Sequence, residues 1–351
     1  MPAVSASPKP TPPAVDWAFA GSVGARLARP GPPATEYTLR QVVDDLAEAA
    51  HAAESPVRDV TGLSGGGPVA DARIVDRQEW VRAASDSMRV LTGGAGGAGA
   101  SGSLITGRIT GAQTGAILAF VSSGILGQYD PFGGGAAGSG RLLLVYPNVL
   151  AVERQLRVVP RDFRLWVCLH EVTHRVQFTA NPWLAQHMSR SVGVLTSGGG
   201  PGLTDVVGRL TELIRDRRTS HTPGLVGFMR ALQSEPQRAA LDQLMALGTL
   251  LEGHADYVMD AVGPAVVPSV DQIRRRFNDR RQRQLSAPQR LLRALLGVDA
   301  KLSQYTRGRA FVDAVVKRVG MERFNAVWSG PDTLPRSEEI GNPEQWITRV
   351  L

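Results

Sequence analysis

The sequence predicts a mainly α-helical protein with a small β-sheet, and three observations carry that prediction. From Pro160 onward apolar residues recur at helical spacing in almost every segment. Only one short, continuously apolar run has strand character, Arg141-Leu-Leu-Leu-Val-Tyr146, stopped by Pro147. Hydrophobic residues make up 43% of the 351 and charged residues 20%, enough for a sizeable core and too apolar for a disordered chain.

Residues 1–13 alternate Pro, Ser and Ala and read as a disordered tail with no apolar stretch typical of a secretory signal. Residues 35–53 form an amphipathic helix through Leu39, Val42, Val43, Leu46 and Ala50. Residues 56–68 read as a loop, and 76–91 as a helix through Trp80, Val81, Ala84 and Met88. Residues 92–102, nearly all Gly, Ala and Ser, read as a linker closing an N-terminal helical region, 14–102, ahead of a main region, 103–351, with one continuous domain as the alternative. Gly107, Gly111 and Gly115 then line one side of a helix, where small residues let another backbone come close. A second Gly-rich loop, 133–140, leads into the strand and reads equally as a substrate flap or a plain connector. Beyond it, helices are expected over 162–178 with Asp162 as cap, then 203–215, 239–262, 270–283 and 301–319.

The chain carries 39 Lys and Arg against 32 Asp and Glu, a net charge of +7, nearly all of it arginine. Lysine occurs only at Lys9, Lys301 and Lys317. One cysteine, Cys168, rules out an intramolecular disulfide. No run reaches the roughly 18 apolar residues a membrane span needs, so the expectation is a cytoplasmic protein with no membrane partner.

Within the helix of residues 162–178 stands His170-Glu171-Val172-Thr173-His174, an H-E-x-x-H motif. Four residues is just over one helical turn, so both imidazoles leave one face and can share a cation. Glu171 sits beside that face, placed to take a proton from a water next to the cation without binding the cation itself. The surrounding helix is apolar through Phe163, Leu165, Trp166, Val167, Leu169, Val172, Val176 and Phe178. Two histidines and a glutamate in such a helix are costly to bury unless a cation satisfies them. The competing reading is a pair of core histidines beside a carboxylate. Zn2+ is the metal that this motif fits.

Such a centre needs a third protein ligand. A third histidine six residues on is excluded, because Gln177 and Ala180 stand where that pattern needs Gly and His. The candidates lie in Leu251-Glu252-Gly253-His254-Ala255-Asp256. Glu252 and Asp256 share a helix face, offering one ligand carboxylate and one that orients a ligand imidazole. His254 leaves the other side, as a rival ligand or a hydrogen-bond donor to the transition state.

H-E-x-x-H on one helix with E-x-x-x-D on a later one resembles the gluzincin arrangement of thermolysin-like enzymes. Together with Gly127-Gln-Tyr-Asp-Pro131, Asp162-Phe-Arg-Leu-Trp166 and Val57-Arg-Asp-Val-Thr-Gly62, the motifs resemble an actinobacterial family of hydrolases with a zincin-like metallopeptidase fold, one branch of which is associated with biosynthesis of a deazaflavin coenzyme. The resemblance runs from about residue 14 to the C-terminus. It implies His170, His174 and Glu252 as metal ligands, Glu171 as general base and Asp256 behind the ligands. It also implies hydrolysis of a peptide or another amide. The interval between the two motifs is far longer than in the thermolysin pattern. A zinc-containing scaffold protein and a small-molecule amide hydrolase of coenzyme metabolism are the alternatives.

Arg274, Arg275, Arg276, Arg280, Arg281 and Arg283 form a basic cluster, readable as a solvated helix face or as a site for an anionic partner. No aromatic interleaving or nucleic-acid module accompanies it, so nucleic acid is not an expected partner. His187 and His221 read as ordinary surface or loop histidines, and Cys168 as a buried thiol. Tyr146 and Tyr257 are side chains able to donate to an oxyanion, with packing as the plainer role.

Overall fold

In the computed structural model the described residues are 15–65, 69–92, 104–134, 140–197, 234–282 and 298–351. The expected tail, the 203–215 helix, His221, Arg283, and most of both the 92–102 segment and the 133–140 loop lie outside them.

Along the chain run α1 (Trp17–Leu27), α2 (Glu36–Ala52), α3 (Glu54–Thr61), β1 (Arg73–Val75), α4 (Arg77–Leu91), α5 (Leu104–Val121), β2 (Gly127–Asp130) and β3 (Arg141–Val145). There follow α6 (Tyr146–Leu156), α7 (Pro160–Ala180), α8 (Trp183–Ser197), α9 (Glu235–Ala261), α10 (Val270–Gln282), α11 (Val298–Phe324), α12 (Ser337–Gly341) and α13 (Pro343–Val350). The protein is mostly helical with one three-stranded sheet, ordered β1-β3-β2. β3 pairs parallel with β1 and antiparallel with β2, with Gly127 opposite Leu144 and Asp130 opposite Arg141.

Several local readings are corrected. The segment read as a loop from residue 56 begins inside α3. Pro56 falls in the first turn of that helix, where its missing N–H breaks no bond. Likewise Pro147 stops β3 but sits in the first turn of α6, so one proline ends the strand and starts the next helix. Asp162 does not cap α7, which starts at Pro160; its carboxylate accepts from the Ser269 N–H at 2.9 Å and hydroxyl at 2.6 Å, tying α7 to the start of α10. β1 and β2 have too few residues to show an alternating pattern in the sequence.

The expected glycine face of α5 is present. A Cβ at Gly115 would stand 2.5 Å from the Ala20 carbonyl oxygen of α1, and one at Gly111 2.8 Å from that of Asp16. The two backbones touch because neither side chain intervenes. α9 and α11 meet in the same way, since a Cβ at Gly253 would lie 2.1 Å from the Gly308 carbonyl carbon. That crossing seats the segment between Glu252 and His254 firmly against α11.

The larger apolar core joins α2 and α3 to α7, α9, α10 and the C-terminal helices, drawing residues from both sides of the 92–102 segment. A smaller cluster packs α4 on the outer side of the sheet through Trp80, Val81, Leu143 and Val145. No helix among the described residues is long and apolar enough to cross a membrane.

Candidate metal centre

α7 lies in the middle of the larger core, with Phe163, Trp166, Leu169, Val172 and Val176 at most 2% exposed. Burial on most faces fixes its rotation, and the remaining face carries His170 and His174 into a cleft. α9 packs alongside and brings Glu252 to the same point. His170 Nε2 lies 3.3 Å from His174 Nε2 and 3.3 Å from Glu252 Oε2; His174 Nε2 lies 3.7 Å from Glu252 Oε2. Ligand atoms ~2.0–2.1 Å from a tetrahedral zinc stand about 3.3 Å from one another. The three donor atoms therefore have the separations that one such ion requires. Two imidazoles and a carboxylate also make a donor set suited to zinc. His170, His174 and Glu252 could hold a metal ion together.

Glu171 is buried and lines the cleft beside the histidines. β2 runs against it so closely that a Cβ at residue 127 would lie 2.6 Å from Glu171 Cγ and 2.9 Å from Cδ. Gly127 is thus the residue that lets the strand reach the motif. The strand beside the motif helix is β2, one of the two edge strands of the described sheet. The strand candidate Arg141 to Tyr146 supplies β3, Arg141–Val145, buried at the centre of the sheet. A continuous apolar run is the signature of a strand covered on both faces.

His174 is held from behind. Its Nδ1 lies 2.9 Å from Gln177 Oε1. Burial opposes its charged form, but the hydrogen bond and charge of Glu252, then Glu171 and Gln177, outweigh that and raise its pKa. In the metal-free chain a proton therefore competes for the ligand position.

Asp256 faces the same cleft. Burial would raise its pKa, but Arg274, then His170 and Arg309, outweigh it, and the carboxyl is held below its ordinary range. Its Oδ1 accepts from Arg274 at 2.7 Å, and Arg309 approaches at 3.5 Å. The same two arginines reach Asp260 at 2.8 and 2.6 Å, and the Arg274 guanidinium lies 5.0 Å over the Trp166 ring. Arg274 is thus spent inside the protein. Arg276 donates to the Leu156 and Arg157 carbonyls at the end of α6, and Arg280 to Gln155. Three members of the basic cluster thereby have internal partners.

The structure does not bring His254 to the other ligand candidates. It is fully buried on the far side of α9, against Phe324 and Trp328, with its pKa pushed down to about 3, first by burial and then by the charge of His174. Cys168 is buried as expected, which pushes its thiol pKa up. His187 packs on Trp183 in α8. Neither Tyr146 nor Tyr257 lines the cleft.

The residue the sequence reading passed over is Gln177. In the sequence Gln177 excludes a third histidine, yet it also lies three residues after His174 on the same helix face. A polar side chain amid the apolar positions of α7 was the available signal.

The cleft holds about 480 Å3. Trp166, Met259, Phe277, Met88, Phe132 and Phe178 are among the apolar side chains that line it.

A crystal structure from Chloroflexus aurantiacus, described as "a putative hydrolase with a novel fold", is similar to this chain at 30% sequence identity and a TM-score of 0.65, covering 95% of this chain and 98% of the other. No curated protein matches the chain. The zincin-like metallopeptidase family matches residues 15–347, which takes in the motif helix, β2 and the Glu252 helix, and the chain belongs to that family.

Proposed function

We propose that this protein is a zinc-dependent hydrolase that cleaves an amide, with a peptide bond in an extended segment as its substrate. The observation that carries the reading is the convergence of His170, His174 and Glu252 at zinc-ligand separations on the wall of a cleft, with Glu171 beside them. His170, His174 and Glu252 are the ligands. When bound, zinc supplies a Lewis acid that polarises the scissile carbonyl and eases deprotonation of the attacking water.

The chain's own groups do the rest. Glu171 takes a proton from water as the new C–O bond forms, then delivers it to the nitrogen as the C–N bond breaks. β2, whose residues 127–130 line the cleft, offers its outer edge to an extended main chain. Trp166, Met259 and Phe277 exclude water and favour apolar substrate groups. Asp256, fixed by Arg274 and Arg309, sets the charge behind His170. A small-molecule amide of coenzyme metabolism, the substrate suggested by the deazaflavin-associated branch, needs the same centre but not the strand edge.

The strand separates the two. Zinc-loaded protein incubated with a peptide mixture is expected to produce new termini by mass spectrometry, blocked by a chelator and restored by zinc. Gly127→Val should keep its zinc and cut roughly 100-fold more slowly, since a displacement of about 1 Å at the reacting groups has that effect. Absence of cleavage in a fully loaded wild type counts against a peptidase. Equal cleavage by the valine variant counts against a substrate laid along β2.

A further inference from the structure

Gln177 joins two helices through one amide. Its Nε2 lies 3.1 Å from the Leu251 carbonyl oxygen and 2.9 Å from His254 Nδ1, while its Oε1 lies 2.9 Å from His174 Nδ1. A carbonyl can only accept, so Leu251 determines which end of the amide is the NH2 group. The rest of the chain of bonds follows. The second N–H of Gln177 points at His254, so His254 Nδ1 accepts and its ring proton sits on Nε2. Gln177 Oε1 can only accept, so His174 Nδ1 donates, and in the neutral ring its Nε2 keeps a lone pair. That lone pair is on the atom 3.3 Å from His170 Nε2 and 3.7 Å from Glu252 Oε2.

His254 is an expensive way to fill its site. It is fully buried, its ring centroid lies 5.5 Å from that of Phe324 and 5.4 Å from that of Trp328, and its Nε2 has no hydrogen-bond partner among the described residues. A buried N–H without an acceptor is destabilising, and an apolar ring would occupy the same box without that cost. What a phenyl ring lacks is an acceptor for the second N–H of Gln177.

We propose that Gln177 and His254 are positioning residues that hold His174 as the Nδ1–H tautomer, with Nε2 presented to the cation. The backbone of Leu251, next to Glu252, anchors the arrangement, so one amide couples the orientation of a ligand on α7 to the helix that carries the other. This rests on the zinc reading above, but it concerns the imidazole and can be tested without it.

The experiment compares full-length wild type, His254→Phe, His254→Asn and Gln177→Met by competition for zinc with a chromophoric chelator. Thermal unfolding of each metal-free form is followed in parallel. Phenylalanine fills the aromatic box without an acceptor, whereas asparagine returns an oxygen close to the position of Nδ1. His254→Phe and Gln177→Met are expected to bind zinc about 10–100-fold more weakly, the usual loss for partners behind a ligand. His254→Asn should bind within about threefold of wild type, although it packs less well, an order that a purely structural role would reverse. Nitrogen-15 NMR of metal-free wild type, at a pH where His174 is neutral, should place its proton on Nδ1. This holds even if His254→Phe fails to fold. Zinc affinity of His254→Phe equal to wild type, or a neutral His174 with its proton on Nε2, overturns the proposal. A wild type that binds no zinc instead overturns the zinc reading, and the NMR result still decides the tautomer.

Discussion

Glu171→Gln is expected to bind zinc as wild type does, to unfold at nearly the same temperature, and to lose hydrolysis by roughly 100- to 10,000-fold. The substitution keeps the shape and volume of a side chain packed against Gly127 and removes only its ability to accept and return a proton. No ligand atom changes, because the proposed donor group is His170, His174 and Glu252. Metal content measured beside turnover separates this outcome from a general loss of structure. If the glutamine variant turns over substrate at the wild-type rate, Glu171 is not the base. A loaded chain whose wild type and variant are equally inert would mark the metal as structural.

Glu252→Ala should have the opposite signature, with metal lost and fold retained. It removes one of three donor atoms and leaves two imidazoles 3.3 Å apart with nothing negative between them. Zinc affinity should fall by well over 100-fold. Asp256→Ala leaves all three donors in place but leaves Arg274 and Arg309 paired with Asp260 alone, and should weaken binding by only about 10–100-fold. Isothermal titration with zinc ranks the two. If Asp256→Ala proves the more damaging, or His254→Ala empties the site while Glu252→Ala does not, the ligand assignment fails.

Much of the centre could be read from the chain because its parts are local. His170 and His174 share one face by helical geometry alone, and Glu252 and Asp256 share another. What spacing could not show is how two distant helices meet. Whether Glu252 or His254 faced the histidines depended on the rotation of α9, which the Gly253–Gly308 crossing and the Phe324 and Trp328 rings set. The sheet was half legible for a similar reason. β3 is apolar on both faces and announces itself, whereas β2 has four mixed residues and takes its place only through pairing with β3 and contact with Glu171. The arginines of α10 looked like a surface charge run because sequence carries no sign of the aspartates, carbonyls and Trp166 ring that meet them.

Zinc in the native protein is expected to be held by His170, His174 and Glu252. Elemental analysis of full-length protein, purified without added metal or chelator, tests it most directly. Close to one zinc per chain is expected, with His174→Ala retaining little of it while remaining folded. A wild type that is fully folded without metal, and that takes up none when zinc is supplied, would contradict it.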